Sequence, residues 1–444
     1  MNRAIVLAAV GIAASATQYA SDIRHLTLRE AVNLALSQNR SLRIARLKVT
    51  ENEQQKAGER SAYFPRVTNQ SNVVHVTDVE HIGIPTGALG TVAGAQAPGH
   101  NVVIPQGFNT FYSTGTMMSQ PLTQLFRVRA QNRIAAAQLS GSKDDLHQAE
   151  NEVALQVHSL YFAVLITGLQ RQAALLQTKY AEESLRESED AIRNGSALKV
   201  AAIKGRAGVL EGQQAVLTAD LQLDDLTTEL DNLLGLPLDT RLELDSNVPA
   251  DFDPRPREEY VQAAWNKKPE VLSAEDAVRK ASAGVAAAKT AYIPDISAYA
   301  RQSYQDGVPF LLRNFGEFGL HMTWDVFDFG KRRSEVRMRE TQLAEAEENL
   351  RRMKDDVATA IEKTYNKLEK AKSMVLVANQ VVELRKESER LAENRMAQGE
   401  VLGSARSEAT AASYKAQADY LNARLGYLLA WAELQLQAGI TPGL

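Results

Sequence analysis

Seven histidines, His25, His75, His81, His100, His147, His158 and His321, are the residues of this chain best suited to metal or proton chemistry. None stands at a spacing that would bracket a tetrahedral ion. His75 and His81 come nearest, in one loop, with no acid placed to orient either ring. The chain has no cysteine, which excludes thiolate zinc sites, disulfide frameworks and cysteine nucleophiles. Serine, histidine and aspartate all occur, but nothing like a nucleophile elbow surrounds any serine. The glycines from Gly83 to Gly107 lack the Lys-Ser/Thr pair of a phosphate-binding loop. Met117-Met118 reads as apolar packing rather than a soft-metal track. A net charge of −4 over 444 residues leaves no electrostatic footprint for nucleic acid. No catalytic residue, metal or cofactor is therefore expected, and the chain is read as a non-enzyme.

With no reactive constellation to position, the pattern of elements carries the reading. Asn2-Arg3 gives a basic start, Ala4 to Ala14 is apolar, and Ala14-Ser15-Ala16 offers a small-x-small cleavage site. Residues 1–16 are thus expected to be an export signal, with the mature chain starting at Thr17. No cysteine follows it, so a lipid anchor is not expected. Beyond it no run of 18 residues is wholly apolar, so a membrane segment would have to be a closed β-barrel.

The chain is a duplication. A shift of 229 pairs Glu30 with Glu259, Val32 with Val261, Ala35 with Ala264, Tyr63 with Tyr292 and Pro65 with Pro294. A shift of 204 then pairs Val153-Ala154 with Val357-Ala358, Tyr161 with Tyr365, Gly195 with Gly399 and Gly235 with Gly439. The 25-residue difference falls between Pro65 and Pro121, so the first half carries an enlarged loop. The first repeat is expected over 17–240: a helix over 28–62, strands 63–76 and 108–122, a long helix 124–194 and a return helix 200–234. Residues 241–256 read as a linker. The second repeat, 257–440, repeats the plan with a helix 257–291, strands 292–304 and 315–329, a long helix 331–398 and a return helix 404–438. Residues 441–444 are a tail.

A helix over 331–398 would be ~100 Å long at ~1.5 Å per residue, far beyond a compact domain. Its apolar seam runs Val336, Leu343, Leu350, Val357 and then steps four residues to Ile361, Leu368, Val375, Val382. Such a step locally unwinds a supercoil. Two helices of about 35 residues each would match the long one, as a cylinder of equal-height helices requires.

Phe318, Leu320, Met322, Trp324 and Val326 alternate with Gly319, His321, Thr323 and Asp325. One apolar and one polar face is the pattern for lipid outside and water inside, so these five are expected to form a lipid face. Residues 67–76 and 108–120 alternate poorly. Four strands cannot close a barrel, because about 8 is the practical minimum, and three copies would supply twelve. Lys331-Arg332-Arg333 reads as an interfacial anchor just below the barrel.

The chain resembles the TolC-type outer-membrane efflux protein family over nearly all of residues 26–440. The resemblance rests on Leu28-Arg-Glu-Ala-Val with Ala35-Leu36 and Asn39, Ala62-Tyr63-Phe64-Pro65, Ser119-Gln120-Pro121-Leu122 with Leu125-Phe126, Trp324 through Arg333, and the turns at Gly195 and Gly399. It implies a mostly α fold with a small membrane β contribution. Each subunit would give four strands to a 12-stranded barrel and long antiparallel helices to an α-helical barrel. It further implies a homotrimer in the outer membrane, reaching into the periplasm and contacting outer-membrane lipid. The tips near Gly195 and Gly399 would dock a periplasmic adaptor joined to an inner-membrane pump, and would open when it engages. Family members often carry an acid six residues after each tip glycine; here Ala201 and Ala405 stand there, with Glu408 nine residues after Gly399. Glu400 and Glu408 are the pore candidates, with Arg395 and Arg406 as pairing partners that would hold the tip shut. A passive export duct of a tripartite efflux or type I secretion system follows. The alternative permitted by the heptads is a periplasmic coiled-coil scaffold without a pore. The sequence does not distinguish drugs, metal ions and polypeptides as cargo.

Overall fold

The computed structural model describes residues 24–238, 240–246, 254–307 and 312–440. The expected signal segment, the tail 441–444 and the middle of the linker lie outside them. In chain order the elements are β1 (Arg24–Leu26), α1 (Leu28–Gln38), α2 (Arg40–Ser61), β2 (Arg66–His75), β3 (His81–Ile84), β4 (Thr91–Val92), β5 (Ala95–Gln96), β6 (Val102–Pro105), β7 (Thr110–Pro121), α3 (Leu125–Arg193), α4 (Lys199–Leu234), β8 (Leu242–Leu244), α5 (Arg257–Lys267), α6 (Pro269–Thr290), β9 (Asp295–Asp306), β10 (Asn314–Thr323), α7 (Lys331–Ala397) and α8 (Gly403–Gln437). They fall into two compact units, one of Met1–Arg46, Leu146–Pro269 and Lys354–Leu444, the other of Leu47–Asp145 and Glu270–Met353.

In the first unit, β1 pairs in parallel with β8. Thr27 then starts α1 with a capping box: its hydroxyl accepts from the Glu30 amide at 3.3 Å, and the Glu30 carboxylate accepts from the Thr27 amide at 3.0 Å. The buried face of α1, Leu28, Ala31 and Ala35, packs with Val153, Val157, Tyr161 and Phe162 of α3, Leu230 and Leu234 of α4, and Leu425 and Leu428 of α8. Tyr161 lies within this core, and its hydroxyl reaches the carbonyls of Leu26 at 2.9 Å and Asp245 at 2.8 Å. By composition α3 includes a window apolar enough to cross a membrane, and it contributes these four buried core residues.

The expected helices 28–62 and 257–291 are each two helices, which changes the length match inferred from the sequence. In the first repeat the Asn39 carboxamide oxygen accepts from the Ser41 and Leu42 amides at 2.9 and 3.2 Å, starting α2 afresh. In the second, Pro269 opens α6 and drives Lys268 to φ −69, ψ 125, which ends α5. Along α7 the buried seam steps from Val357 to Ile361, then to Leu368 and Val382, at the four-residue step in the heptads.

His158 sits in the wall of the same core, its Nδ1 2.7 Å from the Ala154 carbonyl oxygen. Burial, its largest influence, lowers its proton affinity, and the carbonyl contact opposes that. The folded state therefore favours neutral imidazole, and the unfolded chain binds the extra proton near the ordinary value of about 6.5. Stability from this residue is present above that pH and falls as pH drops below it. We expect thermal unfolding, followed by helical circular dichroism between pH 7.5 and 5, to show a loss that His158→Leu abolishes.

In the second unit, four strands form one antiparallel sheet in the order β10-β9-β7-β2. The enlarged loop between β2 and β7 is organised by the hairpin pairings β3–β6 and β4–β5. Portions of α2, α3, α6 and α7 accompany the sheet in that unit. Asn132 donates to the Glu59 carbonyl at 3.0 Å, Lys280 to Gln138 at 2.6 Å, and Lys289 pairs with Glu340 at 3.2 Å.

Candidate functional site

The sheet's register assigns its two faces. Phe318, Leu320 and Met322 share one face with Ala300, Ala298 and Ile296, their partners on β9. They are 88%, 70% and 62% exposed, as lipid-facing side chains of an isolated subunit would be. Trp324 and Val326 are also exposed, but β10 ends at Thr323, so they do not extend this face. The pairing stops where Thr323 meets Asp295, because the preceding Pro294 has no amide to continue the ladder. Phe329 and Gly330 then take φ of 53 and 90, while Asp328 accepts from the Gly330 and Arg332 amides at 3.1 and 3.0 Å and starts α7.

Arg332, expected with its basic neighbours to form an interfacial anchor, is held by this turn. It donates to Asp328 at 2.7 Å and to the Asp325 carbonyl at 2.6 Å, and lies 5.3 Å from the Tyr292 ring centre.

The weakly alternating strands β2 and β7 occupy the other half of the sheet. Their Asn69, Ser71, Thr114 and Thr116 fall on the same face as Phe318. These polar groups satisfy one another: Asn69 donates to Thr116 at 2.9 Å, and Ser71 donates to the Asn69 carboxamide oxygen at 2.9 Å. Cross-strand partnership explains how the face tolerates them, and no single-strand pattern could display it. Among the described residues β10 and β2 are each paired on one side only, which leaves two open edges.

In the first unit two helices of each repeat meet in matched turns. Gly195 and Gly399 have φ of 72 and 76, the left-handed region that glycine enters without a Cβ penalty. The following amides, of Ser196 and Glu400, both return to carbonyls five residues back at 2.9 Å. Leu198 and Leu402, the next helix starts, are exposed and bring no capping side chain.

Of the expected gate pairs, Arg395 and Glu400 do meet, at 3.3 Å across the turn. Arg406 and Glu408 form no ion pair among the described residues, although both are exposed. Both lie within the first two turns of α8. Glu408 lies near Tyr180 of α3, whose hydroxyl proton is held by burial first and then by the carboxylates of Glu408 and Glu187.

Four tip residues were not singled out from the sequence. Glu187 of α3 accepts from the Ser404 amide at 2.7 Å, and Ser407 donates to Glu183. An acid from α3 thus caps the start of α8, where the helix dipole favours negative charge. The one sequence signal was the uncapped start at Leu402, which demanded an acceptor without saying from where.

Contacts along their lengths order the helices of this unit. Arg206 of α4 pairs with Glu189 of α3 at 3.4 Å, Glu187 joins α3 to α8, and Lys367 of α7 pairs with Glu433 of α8 at 2.6 Å. The order is α4-α3-α8-α7, leaving α4 and α7 on the outside. Both present exposed apolar stripes. Ile203, Leu210 and Leu217 stand 8, 15 and 22 residues after Gly195, and Leu391, Leu384 and Val377 stand the same 8, 15 and 22 before Gly399. Beside the second stripe, a groove of 960 Å³ between α7 and α8 is lined by Met374, Val377, Ala378, Val381, Ala416 and Ala423. No group of histidines and acids able to hold a metal occurs among the described residues.

The fold is that of known outer-membrane channels. A solved structure of CusC, described in terms of its folding and transmembrane channel formation, superposes with a TM-score of 0.73 at 16% identity, covering 93% of this chain and 92% of that one. The CmeC outer membrane channel of Campylobacter jejuni gives 0.73 at 16% identity, covering 93% and 85%. The open state of the MtrE outer membrane channel of Neisseria gonorrhoeae gives 0.71 at 18%, covering 93% and 89%. No curated protein sequence matches. The family model described as outer membrane efflux protein matches residues 85–236 and 260–439, well over half of the chain. This chain therefore belongs to the outer membrane efflux protein family, and is an outer-membrane channel protein that extends into the periplasm.

Proposed function

We propose that three copies of this chain close into one continuous duct, with β10 of each subunit pairing with β2 of the next and α7 of each packing against α4 of the next. The observation that carries this reading is that one chain bears two open sheet edges and two apolar helix stripes at matching distances from its tip glycines. With the tips level, antiparallel α4 and α7 would place Ile203 opposite Leu391, Leu210 opposite Leu384 and Leu217 opposite Val377. The groove beside Val377 would receive the neighbour's stripe. A head-to-tail contact of this kind forms a ring when its rotation closes, and closure removes the sheet edges that a membrane cannot leave unpaired.

Solute then passes from the periplasmic tips through the helical tunnel and out through the barrel, with energy supplied by an inner-membrane pump. The exposed Leu198 and Leu402 beside the tip turns give a periplasmic adaptor its apolar footing. The gate is built from Arg395–Glu400 and the Glu187 cap on α8. The unpaired Glu408, repeated three times in a narrow channel, favours cations. Protein purified from outer membranes should give discrete, cation-biased conductance in planar lipid bilayers, and Glu408→Ala should weaken the bias. Unchanged selectivity would remove Glu408 from the pore, while a wild-type protein that never conducts would favour the coiled-coil scaffold.

A further inference from the structure

The sheet face opposite Phe318 holds a charged side chain in an unusual setting. Arg301 of β9 stands between Glu317 of β10 and Met117 of β7 in one cross-strand row, which Thr68 of β2 completes. The adjacent row contains Ser303, Gly115 and Gln70. The Arg301 side chain lies across Gly115. A Cβ placed on that glycine would come to 3.3 Å from Arg301 Nε and 3.5 Å from both Arg301 Nη2 and Ser303 Oγ. Ser303 is only 8% exposed, and its hydroxyl has no hydrogen-bond partner among the described residues. On the other side, Glu317 Oε1 lies 3.7 Å from Arg301 Nη1. The glycine here has no turn to make, since it sits mid-strand, where glycine weakens pairing and commonly marks a close approach. The group approaching closely is the guanidinium.

We propose that Gly115 and Glu317 together park Arg301 flat against the lumen wall, making Arg301 the residue that sets how charged solutes pass the barrel. This inference rests on the duct reading, which places the face opposite Phe318 toward the lumen. In a closed trimer, three guanidiniums stand at one level. Parked, each is balanced by its own Glu317 and leaves the lumen wide. Released, the three would project into the channel as a cationic ring, which narrows it and selects for anions. The halves of the device are separable: Glu317 balances charge, and Gly115 provides space. Neither role concerns the tip gate, so the barrel constitutes a second filter in series with it.

The test is reversal potential and single-channel conductance of the reconstituted protein in planar bilayers under a potassium chloride gradient. Glu317→Gln should move the potassium-to-chloride permeability ratio toward chloride by on the order of two-fold or more, with the larger change at low salt. Glu317→Gln combined with Arg301→Gln should return it to near wild type, and Arg301→Gln alone should move it toward potassium. Gly115→Val should lower conductance, and adding Arg301→Ala should restore it.

Because the chain has no cysteine, single introduced thiols report the faces directly. A charged thiol reagent should step down the current of Met117→Cys and leave Met118→Cys unaffected. Should Glu317→Gln and Arg301→Gln both conduct with wild-type selectivity, the proposal is overturned. So is it if Met117→Cys is silent while Met118→Cys responds. A wild-type protein that forms no channel would instead sink the duct itself. Loss of assembly in Gly115→Val alone would leave the Glu317 and Arg301 measurements to decide.

Discussion

Replacing Leu210 and Leu217 together by aspartate should leave the subunit folded and prevent it from assembling. Both side chains are exposed in the single chain, at 64% and 68%. Polar replacement there removes no core contact, and surface changes of this kind alter stability by about 0.5 kcal/mol or less. Across a closed ring the same positions would lie against the neighbour's Leu384 and Val377. A carboxylate forced into such an apolar seam costs several kcal/mol unless it is paired. Two carboxylates recur at each of three contacts, so the penalty falls on every joint of the ring. Sedimentation in mild detergent should show monomer in place of trimer, with helical circular dichroism unchanged. Leu384→Asp, on the opposing face, should give the same result, because a head-to-tail interface joins two different surfaces. A trimer in both variants would show that these stripes are not the joint.

Tyr161→Ala is the second large effect, and it acts inside one subunit. The side chain is wholly buried, and large-to-small changes at aromatic core positions cost about 3–5 kcal/mol. Its hydroxyl also reaches the Leu26 and Asp245 carbonyls, which anchor the segments leading out of β1 and β8 to α3. Tyr161→Phe keeps the ring and removes the hydroxyl's hydrogen bonding to these carbonyls, at about 1 kcal/mol. The order of thermal stability should therefore be wild type, then Phe, then Ala. Burial pushes the Tyr161 hydroxyl up to about 12, opposed by the Asp245 contact. A folded value above the unfolded one near 10 means that its stability contribution is complete below pH 10 and is lost as pH rises toward 12. Tyr161→Phe should be the less alkali-sensitive protein in a denaturation series from pH 9 to 11.5. Equal sensitivity would place the alkaline transition elsewhere.

Much of this architecture is legible in the chain because its determinants are local. The left-handed glycines at 195 and 399, Pro65 and Pro294 at the helix-to-strand junctions, and the alternation from Phe318 to Met322 all act over a few residues, and the shifts of 229 and 204 show each such signal twice. Each leaves a trace that composition and period can display. The breaks at Asn39 and Lys268 were available too, as a capping side chain and a proline-preceding residue, but continuous apolar periodicity outweighed them.

Sequence alone thus determined the duplication, the kinds of element and the tip turns, since backbone preference and hydrophobic period are properties of neighbouring residues. Tertiary structure alone decided that Glu187 caps α8, that Arg332 is held by Asp328 and the Asp325 carbonyl, that Arg406 and Glu408 form no ion pair among the described residues and that Arg301 lies over Gly115. Those outcomes depend on groups brought together from positions far apart in the chain, or on competition among several partners. Neither spacing nor charge pattern encodes which partner a long, flexible side chain will finally meet.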